Sequence, residues 1–182
     1  MKHLLAALAL CVTTSTQSAE ISYVMPLENP KPAEEPTIEP DLSMITIEHA
    51  RTYVQSIYPY AVAVQQAHKI PAAITLAIAC LESGYGRSYN AKEKYNHLGI
   101  RVYQNGKAGY RRFSSTEACF DYYANLFTKP RYAPLQDLET KDLQVWVKTL
   151  QECGYNRRAT YIKKVMQMVR FIHLDEIQYP VA

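Results

Sequence analysis

The stretch Ile70-Pro71-Ala72-Ala73-Ile74-Thr75-Leu76-Ala77-Ile78-Ala79-Cys80-Leu81-Glu82-Ser83-Gly84-Tyr85-Gly86 decides the fold. It reads as a helix that is apolar on every face, opens at Pro71, where a missing N–H costs nothing, and stops at Gly84 and Gly86. Such a helix belongs in the middle of a core. Its one charged side chain, Glu82, falls on the last turn, so the helix carries a carboxyl group to the edge of the core, where a cleft can open. Apolar surroundings and the negative end of the helix dipole both push the pKa of that group up. A carboxyl group kept protonated near neutral pH is a general acid. The plainer alternative is a solvated Glu at a frayed helix end; the motifs that follow favour the acid.

Upstream of this helix the chain changes character twice. Met1-Lys2-His3 and the run Leu4-Leu5-Ala6-Ala7-Leu8-Ala9-Leu10-Cys11-Val12 have the basic start and short apolar core of a secretory signal peptide, expected over 1–19. Leu8-Ala9-Leu10-Cys11 also resembles a lipid-attachment motif, although Leu10 stands where a small residue is usual, so a membrane anchor is expected only if Cys11 is lipidated. Residues 20–44 hold Pro26, Pro30, Pro32, Pro36 and Pro40 among glutamates and read as an extended linker. The linker hides a charge asymmetry. The chain has 20 basic and 17 acidic residues, and residues 1–41 hold two of the former and six of the latter, which leaves 18 against 11, a net +7, for 42–182. A basic folded part suits anionic polymers, whether nucleic acid, lipid headgroups or cell-wall polysaccharide, and export argues against nucleic acid.

Residues 45–178 suffice for one domain. The apolar periodicity predicts amphipathic helices over 45–57 and 60–69, broken at Pro59 and packed against the central helix. A short polar helix is expected near 90–94. Then Leu98-Gly99-Ile100-Arg101-Val102-Tyr103 and Tyr110-Arg111-Arg112-Phe113, joined through Asn105-Gly106, read as a β-hairpin. Ser114 to Glu117 reads as a capping box opening a helix over 115–127, Thr140 as the cap of a helix ending near Cys153, and a last helix is expected over 158–173. The fold class is α+β, mainly α: a large helical lobe and a small β-hairpin lobe with a cleft between them.

His3, His49, His68, His97 and His173 are scattered, with no metal-ligand spacing, and no glycine-rich phosphate loop is present, so neither metal nor cofactor is expected. Removal of a leader leaves Cys80, Cys119 and Cys153, for which the simplest outcome is one Cys119–Cys153 disulfide and a free Cys80.

Several ordered motifs resemble the bacterial glucosaminidases of glycoside hydrolase family 73. They are Leu81-Glu82-Ser83-Gly84-Tyr85-Gly86, Ala91-Lys92, Asn96-His97-Leu98-Gly99-Ile100-Arg101, Tyr110-Arg111-Arg112-Phe113, Pro130-Arg131-Tyr132, and Trp146 with Gly154-Tyr155. The resemblance runs from about residue 60 to 175. It implies a lysozyme-like fold and hydrolysis of the β-1,4 bond between N-acetylglucosamine and N-acetylmuramic acid in peptidoglycan. Residue by residue, it implies Glu82 as the catalytic acid and Tyr155 as a second catalytic group. Asn96 matches a cleft-shaping turn, Tyr132 and Tyr161 match family aromatics, and Tyr85, Tyr103 and Tyr110 are candidates to stack on sugar faces. Asn96, Tyr85, Tyr110, Tyr132 and Tyr161 are thus the expected substrate-side residues.

The chain departs from the family pattern in two places. Where many relatives read Gly-Tyr-Ala-Thr-Asp-Pro, it has Gly154-Tyr155-Asn156-Arg157-Arg158-Ala159, and between Glu93 and Glu117 there is no Asp or Glu to supply a second carboxylate. Glu117 and Asp121 come next, both on an expected helix where solvated roles suit them. The expected protein is a monomeric, exported glucosaminidase of the periplasm or cell envelope acting on glycan strands. A lytic transglycosylase on the same polymer and a non-catalytic wall-binding module are the alternatives.

Overall fold

A computed structural model describes residues 40–104, 106–138 and 141–180. The leader expected over 1–19 and nearly all of the 20–44 linker lie outside the described residues, as do Asn105 of the hairpin tip and Thr140. The central helix, α2 (Ala72–Ser83), is the second of seven α-helices among the described residues: α1 (Glu48–His68), α3 (Tyr89–Lys94), α4 (Thr116–Leu126), α5 (Ala133–Gln136), α6 (Leu143–Glu152) and α7 (Tyr161–Phe171) surround it. A 3-10 turn (Pro130–Tyr132) precedes α5, and the antiparallel strands β1 (Arg101–Gln104) and β2 (Lys107–Tyr110) lie between α3 and α4. This is the mainly helical α+β architecture with a hairpin lobe.

Every residue of α2 from Ala72 to Cys80 is buried, and α1 and α7 pack along it. Four alanines let the neighbours approach closely, while Ile74, Leu76 and Ile78 bury whole side chains, each worth about 1.5–3 kcal/mol relative to exposure. The ends of α2 are satisfied from outside the helix. The Gln65 side chain accepts from the Ala72 N–H at 2.8 Å and donates to the Pro180 carbonyl at 2.6 Å. At the other end Gly84 adopts φ +56°, and its N–H and that of Tyr85 both return to the Cys80 carbonyl.

The break expected at Pro59 does not occur: α1 is one helix of 21 residues with Pro59 inside it. Its buried stripe, Ala50, Tyr53, Val54, Ile57, Tyr58, Ala61 and Val64, continues across the proline, while Pro59 and Gln55 face outward. The carbonyl that loses its partner therefore lies on the exposed side, where water can replace the N–H, and core packing on the other side holds the helix together. The fold also takes in Leu42, before the expected boundary at 45, and at the far end Tyr179, whose ring stacks on Tyr58 at 5.8 Å.

Other expectations shift slightly. Ser115, not Ser114, caps α4, accepting from the Ala118 N–H, and Asp142 caps α6 by accepting from the Gln144 and Val145 N–H groups. The last helix is shorter than 158–173 because the segment before Tyr161 is a loop. Cys80, Cys119 and Cys153 are all free thiols, so the expected bridge is absent. Cys119 is buried against the backbone of His97 and Leu98, whereas Cys153 is near Arg131 and Tyr132, so the two thiols face different neighbours.

One buried side chain ties the base of the hairpin to the body, beside the bonds from the Phe113 N–H to the Lys94 carbonyl and from Arg112 to the Glu93 carbonyl. Asn96 is buried, donates from Nδ2 to the carbonyls of Ile100 and Arg111 at 2.8 Å each, and accepts at Oδ1 from the Ile100 N–H at 2.8 Å. It thereby ties the base of both strands to the turn that follows α3. Asn96→Ala leaves three backbone groups without this partner and is expected to cost roughly 2–4 kcal/mol, measured as a lowered denaturant midpoint with unchanged slope.

Candidate active site

Glu82 is exposed at the end of α2, on a groove of about 590 Å³ between the hairpin and the helical body. Its position follows from the helix: a core-filling α2 that ends at Gly84 leaves its last turn at the surface of the core. Desolvation by the groove walls raises its pKa, and the positive charges of Arg158 and Lys164 pull it back part of the way. The net direction is up, toward the protonated acid. Among the described residues lining the groove Glu82 is the only carboxylate. Glu117 and Asp121 are exposed on α4 and do not line it.

Gly99 lies against the carboxyl group. A Cβ at this position would stand 2.7 Å from Glu82 Oε2 and 3.1 Å from Cδ, and the backbone there has φ +64°, so both the space and the conformation call for glycine. The turn carrying Gly99 is the one held by Asn96, which links the hairpin's anchor to the position of the acid.

Behind Glu82, a buried polar chain fixes the end of α2. Ser83 Oγ donates to the Ala79 carbonyl at 2.6 Å, accepts from the Gly86 N–H at 2.7 Å, and lies 3.0 Å from the Tyr53 hydroxyl. The Tyr53 hydroxyl is in turn 3.0 Å from His97 Nδ1, and His97 Nε2 is 3.1 Å from Thr116 Oγ1. Desolvation lowers the His97 pKa, so the ring is neutral, with one nitrogen donating and one accepting.

The structure brings Glu82, Tyr110, Tyr132 and Tyr155 to the same groove and leaves the other expected residues out of it. Tyr155 is half-buried, with Tyr123 at 6.0 Å edge-on and Phe127 stacked at 6.4 Å between ring centroids. Burial holds its pKa well above the ordinary phenol value, and nearby Tyr161, Tyr123 and Glu82 add to this, so it is a hydroxyl donor and not a base. Tyr132 lines the groove from a buried position, and its hydroxyl accepts from Arg131 at 2.8 Å. Tyr110 is exposed on β2 under the Arg101 guanidinium, 5.2 Å from its ring centroid.

Asn96 does not reach the groove, because all its polar atoms are spent on backbone. Tyr161 is packed in the core with its hydroxyl unpartnered. Tyr85 follows Gly84 with φ +56°, which turns its side chain toward His49 and Met168 and away from Glu82. It lines a separate cavity of about 690 Å³ with Tyr53, His49 and His97, which shares no residue with the groove. That cavity is the larger of the two, but it lacks the acid. Tyr103, at 75% exposure, is the most open aromatic of the hairpin and also falls outside the groove.

Sequence reasoning missed the positive lining of the groove: Arg101, Lys129, Arg131, Arg157 and Arg158. The signals were the net positive charge of residues 42–182 and the pair of arginines standing where relatives have Thr-Asp, and nothing in the sequence says which way these side chains face.

Residues 58–174 match the family described as mannosyl-glycoprotein endo-beta-N-acetylglucosaminidase. Among curated relatives, the peptidoglycan hydrolase FlgJ of Salmonella typhimurium is 31% identical over 126 residues, 56% of this chain and 39% of the relative. The exo-glucosaminidase LytG of Bacillus subtilis is 25% identical over 154 residues, 71% of this chain and 54% of the relative. The chain thus spans about half or less of the length of these relatives. Among solved structures, the peptidoglycan hydrolase from Sphingomonas sp. A1 superposes with a TM-score of 0.58 at 27% identity, covering 69% of this chain and 90% of that one. The catalytic domain of the autolysin Auto from Listeria monocytogenes has a TM-score of 0.59 at 21% identity, covering 70% and 86%, a likeness of fold. The acid-bearing helix, the hairpin lobe and the groove between them all fall within the matched span: the chain belongs to the glucosaminidase family.

Proposed function

We propose that the chain is a peptidoglycan hydrolase that cleaves the β-1,4 bond between N-acetylglucosamine and N-acetylmuramic acid, with Glu82 as general acid. The observation that carries this reading is a carboxyl group of raised pKa that is the only carboxylate among the described residues of a groove of about 590 Å³. Family membership and the named peptidoglycan hydrolases among its relatives support the substrate.

In the reaction, the Glu82 proton passes to the glycosidic oxygen as the bond from that oxygen to the anomeric carbon breaks, and the sugar becomes oxocarbenium-like. With no second carboxylate among the described residues of the groove, the substrate's own 2-acetamido oxygen stabilises the cationic carbon, and the Tyr155 hydroxyl dipole assists. Water then adds to the anomeric carbon and returns a proton to the Glu82 carboxylate. Atoms balance as hydrolysis.

This activity belongs outside the cytoplasmic membrane, reached through the leader expected over 1–19, with the chain working as a monomer. No helix among the described residues is long and apolar enough to cross a membrane. An anchor would depend on lipidation of Cys11.

Digestion of purified peptidoglycan followed by mass spectrometry tests the reaction: reducing N-acetylglucosamine ends are expected, and anhydro-muramic ends would overturn hydrolysis in favour of transglycosylation. Glu82→Gln is expected to lower kcat by at least about 100-fold while still sedimenting with the wall. A variant of near-normal turnover would remove Glu82 from the mechanism. Because the acid must be protonated, activity falls as pH rises through the Glu82 pKa, and this limb lies above the ordinary carboxylate range. Lys164→Gln, which removes a charge favouring the anion, moves the limb to higher pH in a kcat profile. Gly99→Ala pushes a methyl group into the carboxyl, and a misplacement of this kind is expected to cost roughly 100-fold in kcat, with the melting curve reporting that the fold persists.

A further inference from the structure

Among the described residues the groove is lined by five cationic side chains and one carboxylate, far more positive than bond cleavage by Glu82 requires. Two of the five are engaged: Arg101 lies over the Tyr110 ring, and Arg131 bonds to the Tyr132 hydroxyl and sits 4.6 Å from its ring centroid. Lys129, Arg157 and Arg158 have no side-chain hydrogen bond or ion-pair partner among the described residues. The backbone bearing the arginines is nevertheless held. The Arg158 N–H donates to Asn156 Oδ1 at 3.0 Å, and its carbonyl accepts from Gln151 Nε2, on α6, at 2.7 Å. The Arg158 guanidinium is thus fixed at its root and left free at its tip beside the acid, and Arg157 precedes it on the same groove.

We propose that Arg157 and Arg158, with Lys129 on the same groove, form an anion subsite that takes a free carboxylate carried by the glycan strand, making the enzyme selective for carboxylate-bearing strands. This rests on the glycan-cleaving reading above and names what the groove recognises besides the sugars. Guanidinium forks suit carboxylates, which they bind through paired hydrogen bonds. The sugar backbone of such a strand is neutral, so its carboxylates lie either on the stem peptide or, where the peptide is gone, on the lactyl group of muramic acid.

The electrostatics of the acid agree with this arrangement. Arg158 without a ligand favours the Glu82 anion and so works against a general acid. A substrate carboxylate seated on Arg158 neutralises that charge, and the desolvation that raises the Glu82 pKa then acts with less opposition. The subsite therefore couples recognition of the strand to readiness of the acid.

The test uses four substrates: peptide-bearing strands, peptide-stripped strands, and each of these with its carboxylates converted to amides. For the wild-type chain, amidation is expected to lower kcat/KM by roughly three- to tenfold on whichever strand supplies the anion, which identifies the stem peptide or the lactyl group as its source. Arg157→Gln and Arg158→Gln are each expected to shrink this ratio toward one, and added salt to shrink it in the wild type. The Glu82→Gln chain, assayed by sedimentation with the same four strands, is expected to show the same preference in binding alone. Equal turnover of amidated and unmodified strands, or a preference that survives both arginine substitutions, overturns the subsite while leaving hydrolysis in place. Failure of the wild-type chain to cut any of the four overturns the glycan-cleaving reading itself.

Discussion

The contact between Gly99 and the Glu82 carboxyl group is the constraint on which the groove depends. A helix buried along its length fixes where its last turn emerges, and the turn of Gly99 closes over that point with no atoms to spare. Both sides of the contact are held by hydrogen bonds that meet at Asn96 and His97. Asn96 spends its amide on the turn and the hairpin base, and Ser83, Tyr53, His97 and Thr116 hold the end of α2 from behind. An acid positioned by hydrogen bonds on both sides, joined through the neighbouring Asn96 and His97, is preorganised: it meets its substrate without first paying to order itself.

The same groove contains opposed electrostatic influences. Removing water from around Glu82 favours the neutral acid, and the surrounding cations favour its anion. Desolvation is the larger influence at Glu82, and the opposing charges of Arg158 and Lys164 sit on exposed side chains that water screens. The tyrosines respond differently. Tyr155 is kept neutral by burial among other aromatic rings, so it contributes a dipole and not a charge. A single titrating acid beside a neutral phenol is a simpler arrangement than a carboxylate pair, and it places the burden of charge stabilisation on the substrate.

How far the sequence could be read depended on whether a feature was local. The extent of α2, its glycine stop, the hairpin and the existence of the later helices follow from periodicity, capping residues and turn chemistry, all of which act over a few residues. The expected break at Pro59 failed because a local rule met a non-local force: core packing on both sides of the proline outweighed one lost hydrogen bond on the exposed face. Tyr85 was misplaced for a similar reason. It stands three residues from Glu82, but two successive left-handed residues turn the chain, and proximity in sequence did not become proximity in space. Tyr161 and Asn96 were grouped with the substrate side by motif alone, whereas burial assigns one to the core and the other to the hairpin's attachment.

By itself, the sequence determined that an apolar helix must occupy the core and must bring one carboxyl group to its rim, since nothing else could satisfy seventeen residues so poor in polar atoms. Tertiary structure alone decided what surrounds that carboxyl group. The hairpin, the loop before α7 and the segment after α4 are distant along the chain, and their meeting at Glu82 depends on how whole helices pack. Side-chain direction at a loop is set by that packing and not by residue type, which is why the acid was legible and its ring of cations was not.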